Sequence, residues 1–247
     1  MADGDLAGHV ALVTGAAHRL GRATARHLHA AGADVAIHYH SSRAAAEALA
    51  EELEAQGPGR ARVFGCALEE TANLGPLVEA VVAAFGGLDI LVNNAARFYP
   101  TPLKEASEPA WDELLDTNLK APFFLAQAAQ EHLEARGGAI INLADVHAER
   151  PLEHHPVYSV SKAGVVMLTR ALAKEMGPRV RVNAVAPGAA LWPDAGKSES
   201  DKEALLRHTA LGRAGGEEPV AEAVHYLARA DYVTGQVLSV DGGRLLY

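Results

Sequence analysis

Tyr158 and Lys162 stand four residues apart in the stretch "YSVSK". In a helical pattern that spacing puts both side chains on one face. A phenol with an ordinary pKa near 10 is a poor acid at neutral pH. A lysine ammonium beside it favours the phenolate and lowers that pKa. The pair therefore predicts a proton donor usable near neutrality. Surface pairs of this type are common, so its meaning depends on what surrounds it.

A second stretch, "TGAAHRLG" (14–21), has the form of a phosphate-binding turn between a strand and a helix. Gly15 and Gly21 bracket it, and glycine lets backbone turn sharply and approach a pyrophosphate. The long cation Arg19 stands where such turns usually carry a middle glycine. A third stretch is "HYHSSR" (38–43), at the end of the next strand. NAD-binding folds usually place a carboxylate there to accept from the ribose 2′-hydroxyl. Here His38, Tyr39, His40, Ser41, Ser42 and Arg43 contain none. Hydroxyls and basic groups suit a 2′-phosphate, and Arg19 can add a cation across the crevice. The expected cofactor is NADPH. The competing reading is that Ser41 or Ser42 caps the following helix and the histidines are surface residues.

These groups need a scaffold, and the chain alternates short apolar runs with helical patterns. Strands are expected at 9–14, 34–39, 60–66, 88–92, 139–144, 179–185 and 236–240. Helices are expected at 19–32, 42–57, 71–85, 119–136, 157–176 and 218–229, with a looser segment at 188–216. Alternation of this kind predicts one α/β domain over 1–247. It would be a Rossmann-like, doubly wound parallel sheet of seven strands with helices on both faces. Ligands then bind beyond the carboxyl ends of the strands, which directs attention to 14–21, 38–43, 66–70, 93–101, 145–157 and 186–216. Helices 119–136 and 157–176 are apolar on more than one face, so one face of each is expected to meet another subunit.

Bulk composition narrows the function classes. The 247 residues carry a net charge of −9, a field that disfavours nucleic acid and anionic membrane as partners. A single cysteine, Cys66, excludes an internal disulfide and a cysteine-based metal site. Glu153, His154 and His155 are adjacent and do not converge on a metal, so no metal is expected. With no signal-like start and no long apolar run, a cytoplasmic protein is expected.

Over nearly its whole length the chain resembles the short-chain dehydrogenase/reductase family. The resemblance rests on "TGAAHRLG", "NNAA" (93–96), "DTNL" (116–119), "YSVSK", "RVNAVAPG" (181–188) and "YVTGQVLSVDGG" (232–243). It implies that Gly15, Arg19, Leu20, Gly21, Leu68, Asn93 and Ala95 serve the cofactor, together with the 38–42 stretch. It also implies that Pro187 and Gly188 approach the nicotinamide carboxamide and that Lys162 binds its ribose. Asn118 would hold a water linking Lys162 to solvent, and a homotetramer is implied. Most members have a serine thirteen residues before the tyrosine, where this chain has Asp145. An ionised aspartate only accepts hydrogen bonds and would oppose a carbonyl oxygen gaining negative charge. It suits a substrate that offers N–H groups or receives a proton on nitrogen.

Arg19, "HYHSS", "NNAARFYPTPL" (93–103) and Asp145, Tyr158 and Lys162 together resemble the pteridine reductases within that family. This implies reduction of a C=N bond in a pterin or folate. Phe98 and Arg19 would hold the ring, Asp145 and Tyr158 would face its nitrogen edge, and Leu191 and Trp192 would belong to a flap. The chain departs from that type at Ala96 (serine), Ser41 (arginine) and Ala67 (aspartate). A carbonyl-reducing member, such as a 3-oxoacyl-carrier-protein reductase, and a catalytically weak NADPH-binding sensor are the competing readings. Asp145 and Phe98 weigh against the first, and the intact Tyr158–Lys162 pair weighs against the second.

Overall fold

The computed structural model describes residues 4–57, 59–188, 203 and 205–247. Its strands are β1 (Val10–Val13), β2 (Asp34–Tyr39), β3 (Ala61–Gly65), β4 (Ile90–Asn93), β5 (Ala139–Leu143), β6 (Arg181–Pro187) and β7 (Val237–Val240). All seven form one parallel sheet in the order β3-β2-β1-β4-β5-β6-β7. The order reverses between β1 and β4, which opens the crevice where doubly wound sheets bind their ligands.

The helices are α1 (Arg19–Ala30), α2 (Arg43–Gln56), α3 (Leu74–Phe85), α4 (Glu108–Leu115), α5 (Ala121–Arg136), α6 (Pro156–Met176) and α7 (Glu218–Arg229). The sheet separates two apolar cores. Alternation along β1 sends Ala11 and Val13 to one, with Leu28, Leu49 and Val224. It sends Val10 and Leu12 to the other, with Val81, Leu125 and Leu133. A parallel sheet covered on both faces requires strands apolar on both sides, and β1, β4 and β5 are buried at every position. No helix among the described residues is long and apolar enough to cross a membrane.

Two differences from the sequence expectations matter for the site. Helix α4 was not expected; Ser107 caps it, its side chain accepting from the Ala110 N–H at 3.3 Å. It runs into a π-helical turn over Asp116–Lys120, which leads directly into α5. Strand β6 also reaches further than expected, to Pro187, so Pro187 pairs with Val240 in the sheet rather than standing in a loop.

Candidate active site

The turn after β1 is held from three sides. Thr14 Oγ1 accepts from the N–H groups of Asn94 (2.9 Å) and Ala95 (3.0 Å). Asn94 Nδ2 donates to the carbonyls of Thr14 (2.8 Å) and Gly15 (3.2 Å). A Cβ on Gly21 would lie 2.3 Å from the Gly15 oxygen and 2.9 Å from the Ala16 Cα, so only glycine lets helix α1 start this close to the turn. Arg19 has φ of 51°, in the left-handed region that favours glycine. A non-glycine residue there stores strain on the order of 1–3 kcal/mol. The turn has thus kept the backbone shape of a glycine while carrying an exposed guanidinium. Leu20 packs against the core behind it.

His38 lies beneath this turn, 1% exposed, and does not join the groups at the end of β2. Its Nδ1 accepts from the Gly15 N–H at 3.2 Å, so Nε2 carries the proton and donates to the Cys66 carbonyl, also at 3.2 Å. Burial pushes its pKa down to about 4. It is a neutral support for the turn, not a cation for a phosphate. The expectation that His38 contacts the cofactor is corrected on this ground. Cys66 is half-buried beside it, and burial raises the thiol to about 11, which keeps it protonated.

The remaining end of β2 stays open. His40 and Ser41 are exposed, and Tyr39 and Ser42 are half-buried. Ser42 occupies the N-cap position of α2, but its side chain makes no capping bond. Arg43 is engaged with Glu47 at 2.8 Å. Two other expected cofactor side chains turn inward. Asn93 is buried and donates to Asn142 Oδ1 at 2.8 Å, locking β4 to β5, while Leu68 packs in the core with Leu74 and Leu77. Neither side chain offers itself to a ligand. Ala95 stands at the crevice with its N–H bound to Thr14.

The reactive pair sits on the first turns of α6, beside the end of β5. Tyr158 Oη donates to Asp145 Oδ2 at 2.8 Å. Asp145 in turn accepts from the His147 N–H through Oδ1 at 2.8 Å, capping the short 3-10 turn Val146–Ala148. Lys162 is 4% exposed, and its Nζ donates to the Leu143 carbonyl at 2.7 Å. Burial pushes the lysine down to about 8, against the opposing pull of Asp145. Tyr158 moves the other way from the sequence expectation. Burial, followed by the Asp145 carboxylate that its proton faces, raises its pKa well above the usual value. The lysine does not produce a phenolate here; the phenol is held protonated.

Asn118 stands in the π-helical turn. Its Oδ1 accepts from the Arg97 N–H at 2.7 Å, and its Nδ2 donates to the Arg97 carbonyl and to Ser161 Oγ, each at 3.0 Å. Ser161 then donates to the Tyr158 carbonyl at 2.7 Å, which ties the loop after β4 to α6. That loop carries Phe98, 51% exposed, edge-on to Tyr158 with ring centres 4.8 Å apart. His155 stacks on Phe98 at 4.8 Å with the rings 13° from parallel. Nothing in "EHHP" (153–156) marks which histidine meets an aromatic ring. Pro187 and Gly188 end β6, with the Gly188 N–H on the Val240 carbonyl at 3.1 Å. Leu191 and Trp192 lie outside the described residues.

The topological switch point, the turn–helix junction after β1 and a buried Tyr–Lys pair on one helix face define a nicotinamide-dependent oxidoreductase of the Rossmann type. Residues 15–244 match the family described as enoyl-(acyl carrier protein) reductase. The chain is 39% identical to 3beta-hydroxysteroid dehydrogenase 1 of Eggerthella lenta, over 98% of this chain and 96% of that protein. It is 38% identical to a 3-oxoacyl-[acyl-carrier-protein] reductase of Staphylococcus aureus, over 94% and 96%. Among solved structures, a blue fluorescent protein from a metagenomic library, in complex with NADPH, superposes with a TM-score of 0.91 at 36% identity, covering 97% of this chain and 99% of that one. A short-chain dehydrogenase/reductase from Serratia marcescens gives a TM-score of 0.92 at the same identity and coverage. The protein belongs to the short-chain dehydrogenase/reductase family and is an NAD(P)-dependent oxidoreductase.

Proposed function

We propose that this protein is an NADPH-dependent pteridine reductase, which reduces a C=N bond of a dihydropterin or dihydrofolate to the tetrahydro form. The observation that carries this reading is the 2.8 Å hydrogen bond from Tyr158 to Asp145. Carbonyl-reducing members need a neutral donor at the aspartate's position, to face an oxygen gaining charge. A carboxylate there instead faces ring N–H groups and a nitrogen that gains a proton.

The residues fit the cofactor. Helix α1 has no acidic residue in its first turn and its N-cap residue makes no side-chain cap, a start that suits an anion at its N–H groups and dipole. Gly15, Leu20 and Gly21 would hold the pyrophosphate side, and Tyr39, His40, Ser41 and Ser42 the 2′-phosphate. The backbone at Leu68 and Ala95 would flank the adenosine, Pro187 and Gly188 the nicotinamide end, and Lys162 its ribose. The reduced nicotinamide, when bound, supplies a hydride for C6 of the pterin.

The protein's own residues then divide the work. Phe98 offers an exposed ring face for a flat heterocycle, and offset aromatic stacks of this kind favour it. Arg19 would contact both the ring and the cofactor phosphates. Tyr158, held protonated, delivers its proton to N5 of the ring. Asp145 accepts the phenol's hydrogen bond and orients it before transfer, and the phenolate regains its proton from solvent afterwards. Lys162, buried behind the tyrosine ring at 5.8 Å, keeps a positive charge near the phenolate as it forms. Asn118 positions the Arg97–Phe98 loop against α6 through Ser161.

The names of the relatives favour a second reading, reduction of a ketone in a thioester or steroid. The two readings separate in an NADPH-oxidation assay with dihydrobiopterin, dihydrofolate and an acetoacetyl thioester. Turnover of the pterins, with the thioester at least tenfold poorer in kcat/KM, is expected. Turnover of the thioester alone would overturn the pterin reading, and tight NADPH binding without any turnover would favour a sensor. Exposed Phe123 on α5, with Val160 and Met167 on α6, supports a homotetramer joined through these helices. Sedimentation velocity checks that assembly.

A further inference from the structure

The loop that carries Asp145 also walls a cavity of about 440 Å³, which the residues assigned above do not use. This is within the range of roughly 300–1,000 Å³ that small-molecule ligands occupy. Asp145 Oδ1 is bonded to the N–H of His147, and Val146 and His147 already line the cavity, so the space begins one residue beyond the proposed pterin site. Arg150, from this loop, and Arg244, from the segment after β7, both line it. Arg244 donates to the Leu205 carbonyl at 3.4 Å, and among the described residues neither arginine has a carboxylate partner. Glu149 is the one acidic side chain on the wall, against two guanidinium groups. In a protein with a net charge of −9, that is a local reversal of sign. The lining also includes apolar Leu152 and Leu245 and the aromatic Tyr247, with His147 and His208.

We propose that this cavity is a subsite for an aromatic dicarboxylate tail attached to the reduced ring, the p-aminobenzoyl-glutamate portion of a folate. The inference rests on the pterin reading for the head of the substrate. Arginine forks bind carboxylates through paired, charge-assisted hydrogen bonds, and Tyr247 and Leu152 give a benzoyl ring an apolar bed. The subsite makes dihydrofolate a better-held substrate than a pterin with a short neutral side chain. A phosphopantetheine chain, anionic but without an aromatic ring, is the competing occupant of the same cations.

The test has a binding arm and a kinetic arm. Calorimetry with p-aminobenzoyl-L-glutamate on the NADPH-loaded protein is expected to show saturable binding, weakened about tenfold by Arg150→Gln and again by Arg244→Gln. In kinetics each variant is expected to raise KM for dihydrofolate about tenfold while leaving dihydrobiopterin within twofold of the parent. Arg150 is exposed, so its replacement leaves folding intact, which an unchanged Tm confirms. No binding of the fragment, or equal binding by parent and variants, would overturn the subsite even if pterins turn over. Arginine-dependent binding of the fragment without pterin turnover would keep the subsite and overturn the pterin reading. Variants that impair only an acetoacetyl thioester carried on phosphopantetheine would assign the cations to that chain instead and overturn the proposal.

Discussion

Tyr158 donates a hydrogen bond to Asp145 across 2.8 Å while Lys162, one helical turn on, donates from its ammonium to the Leu143 carbonyl. The usual picture of a lysine lowering the tyrosine's pKa is inverted in this arrangement. The carboxylate and burial hold the phenol in its acid form, and the lysine stands behind it. A proton donor needs a loaded proton, and this geometry keeps it loaded across the neutral range.

Removing the carboxylate should therefore disable chemistry without disabling binding. Asp145→Ser is expected to lower kcat for dihydropterin reduction by about 100-fold, the lower end of what a positioned acid contributes. NADPH affinity should stay within a factor of two, because the hydrogen bonds of the Asp145 carboxylate go to Tyr158 and the His147 N–H and not to the cofactor-side turn. Steady-state kinetics with a fluorescence titration of NADPH checks both. Unchanged pterin turnover would remove Asp145 from the mechanism.

His38 sets the acid side of stability. Its pKa is about 4 in the fold and ordinarily 6.5. Between these values the unfolded chain binds more protons than the folded one, so stability falls as pH drops from about 6.5 toward 4. The full loss is roughly 3 kcal/mol from this residue, at 1.36 kcal/mol per unit. His38→Gln is expected to flatten that limb in a urea-denaturation series. An acid limb identical to the parent's would show that other groups carry it.

Lys162 acts on the alkaline side with the opposite consequence. Its pKa is about 8 in the fold against 10.5 unfolded, so its buried charge burdens the fold below pH 8 and is relieved as pH rises toward 10.5. Lys162→Met should stabilise the protein near pH 7, and its advantage should shrink above pH 8. Catalysis should run the other way in the parent, falling above pH 8 as the ammonium is lost. Thermal melts and a kcat profile from pH 6 to 10 would read the two trends. A Tm difference independent of pH would contradict the assignment.

Much of the fold was legible because strand and helix periods differ and β1, β4 and β5 are apolar throughout. Helix α4 escaped for a physical reason. It has eight residues, and Leu114 is the one among them that is buried, so no amphipathic period builds up; the signals present were Ser107 and Pro109 at its start. The Tyr158, Lys162 and Asp145 set was legible as a set, but the direction of the phenol's pKa was not, because burial is a property of the packed chain. His38 was misread for a similar reason. Strand alternation puts it on the face with Ala36, but only the packed fold shows that the Gly15 N–H waits above it. His155 joined Phe98 through a loop whose path no local pattern fixes.

The junction after β1 gives a steric prediction. A methyl at position 21 would sit 2.3 Å from the Gly15 oxygen and 2.9 Å from the Ala16 Cα, both backbone atoms. Gly21→Ala is expected to cost about 1–3 kcal/mol of stability, the usual range for overpacking. It should weaken NADPH at least tenfold, because α1 must move away from the turn. A thermal melt and a cofactor titration check the pair of effects, and a variant with both unchanged would show that the junction yields easily.

The end of β2 is the corner where a 2′-phosphate would be told from a 2′-hydroxyl. The stretch from Tyr39 to Arg43 has hydroxyl and basic groups, and Ser42 keeps its hydroxyl out of the helix cap. The parent should therefore use NADPH in preference to NADH. Ser41 is exposed at this corner, and a carboxylate placed there would meet a 2′-phosphate with like charge. Such juxtaposition costs several kcal/mol. Ser41→Asp is expected to lower kcat/KM for NADPH about 100-fold while NADH changes little, since an aspartate can accept from the free 2′-hydroxyl. Ser41→Arg should act in the opposite sense and tighten NADPH. Coenzyme titrations at fixed dihydropterin measure all three proteins. Equal use of both cofactors by the parent, or an Asp variant that keeps its NADPH efficiency, would place the phosphate away from this corner.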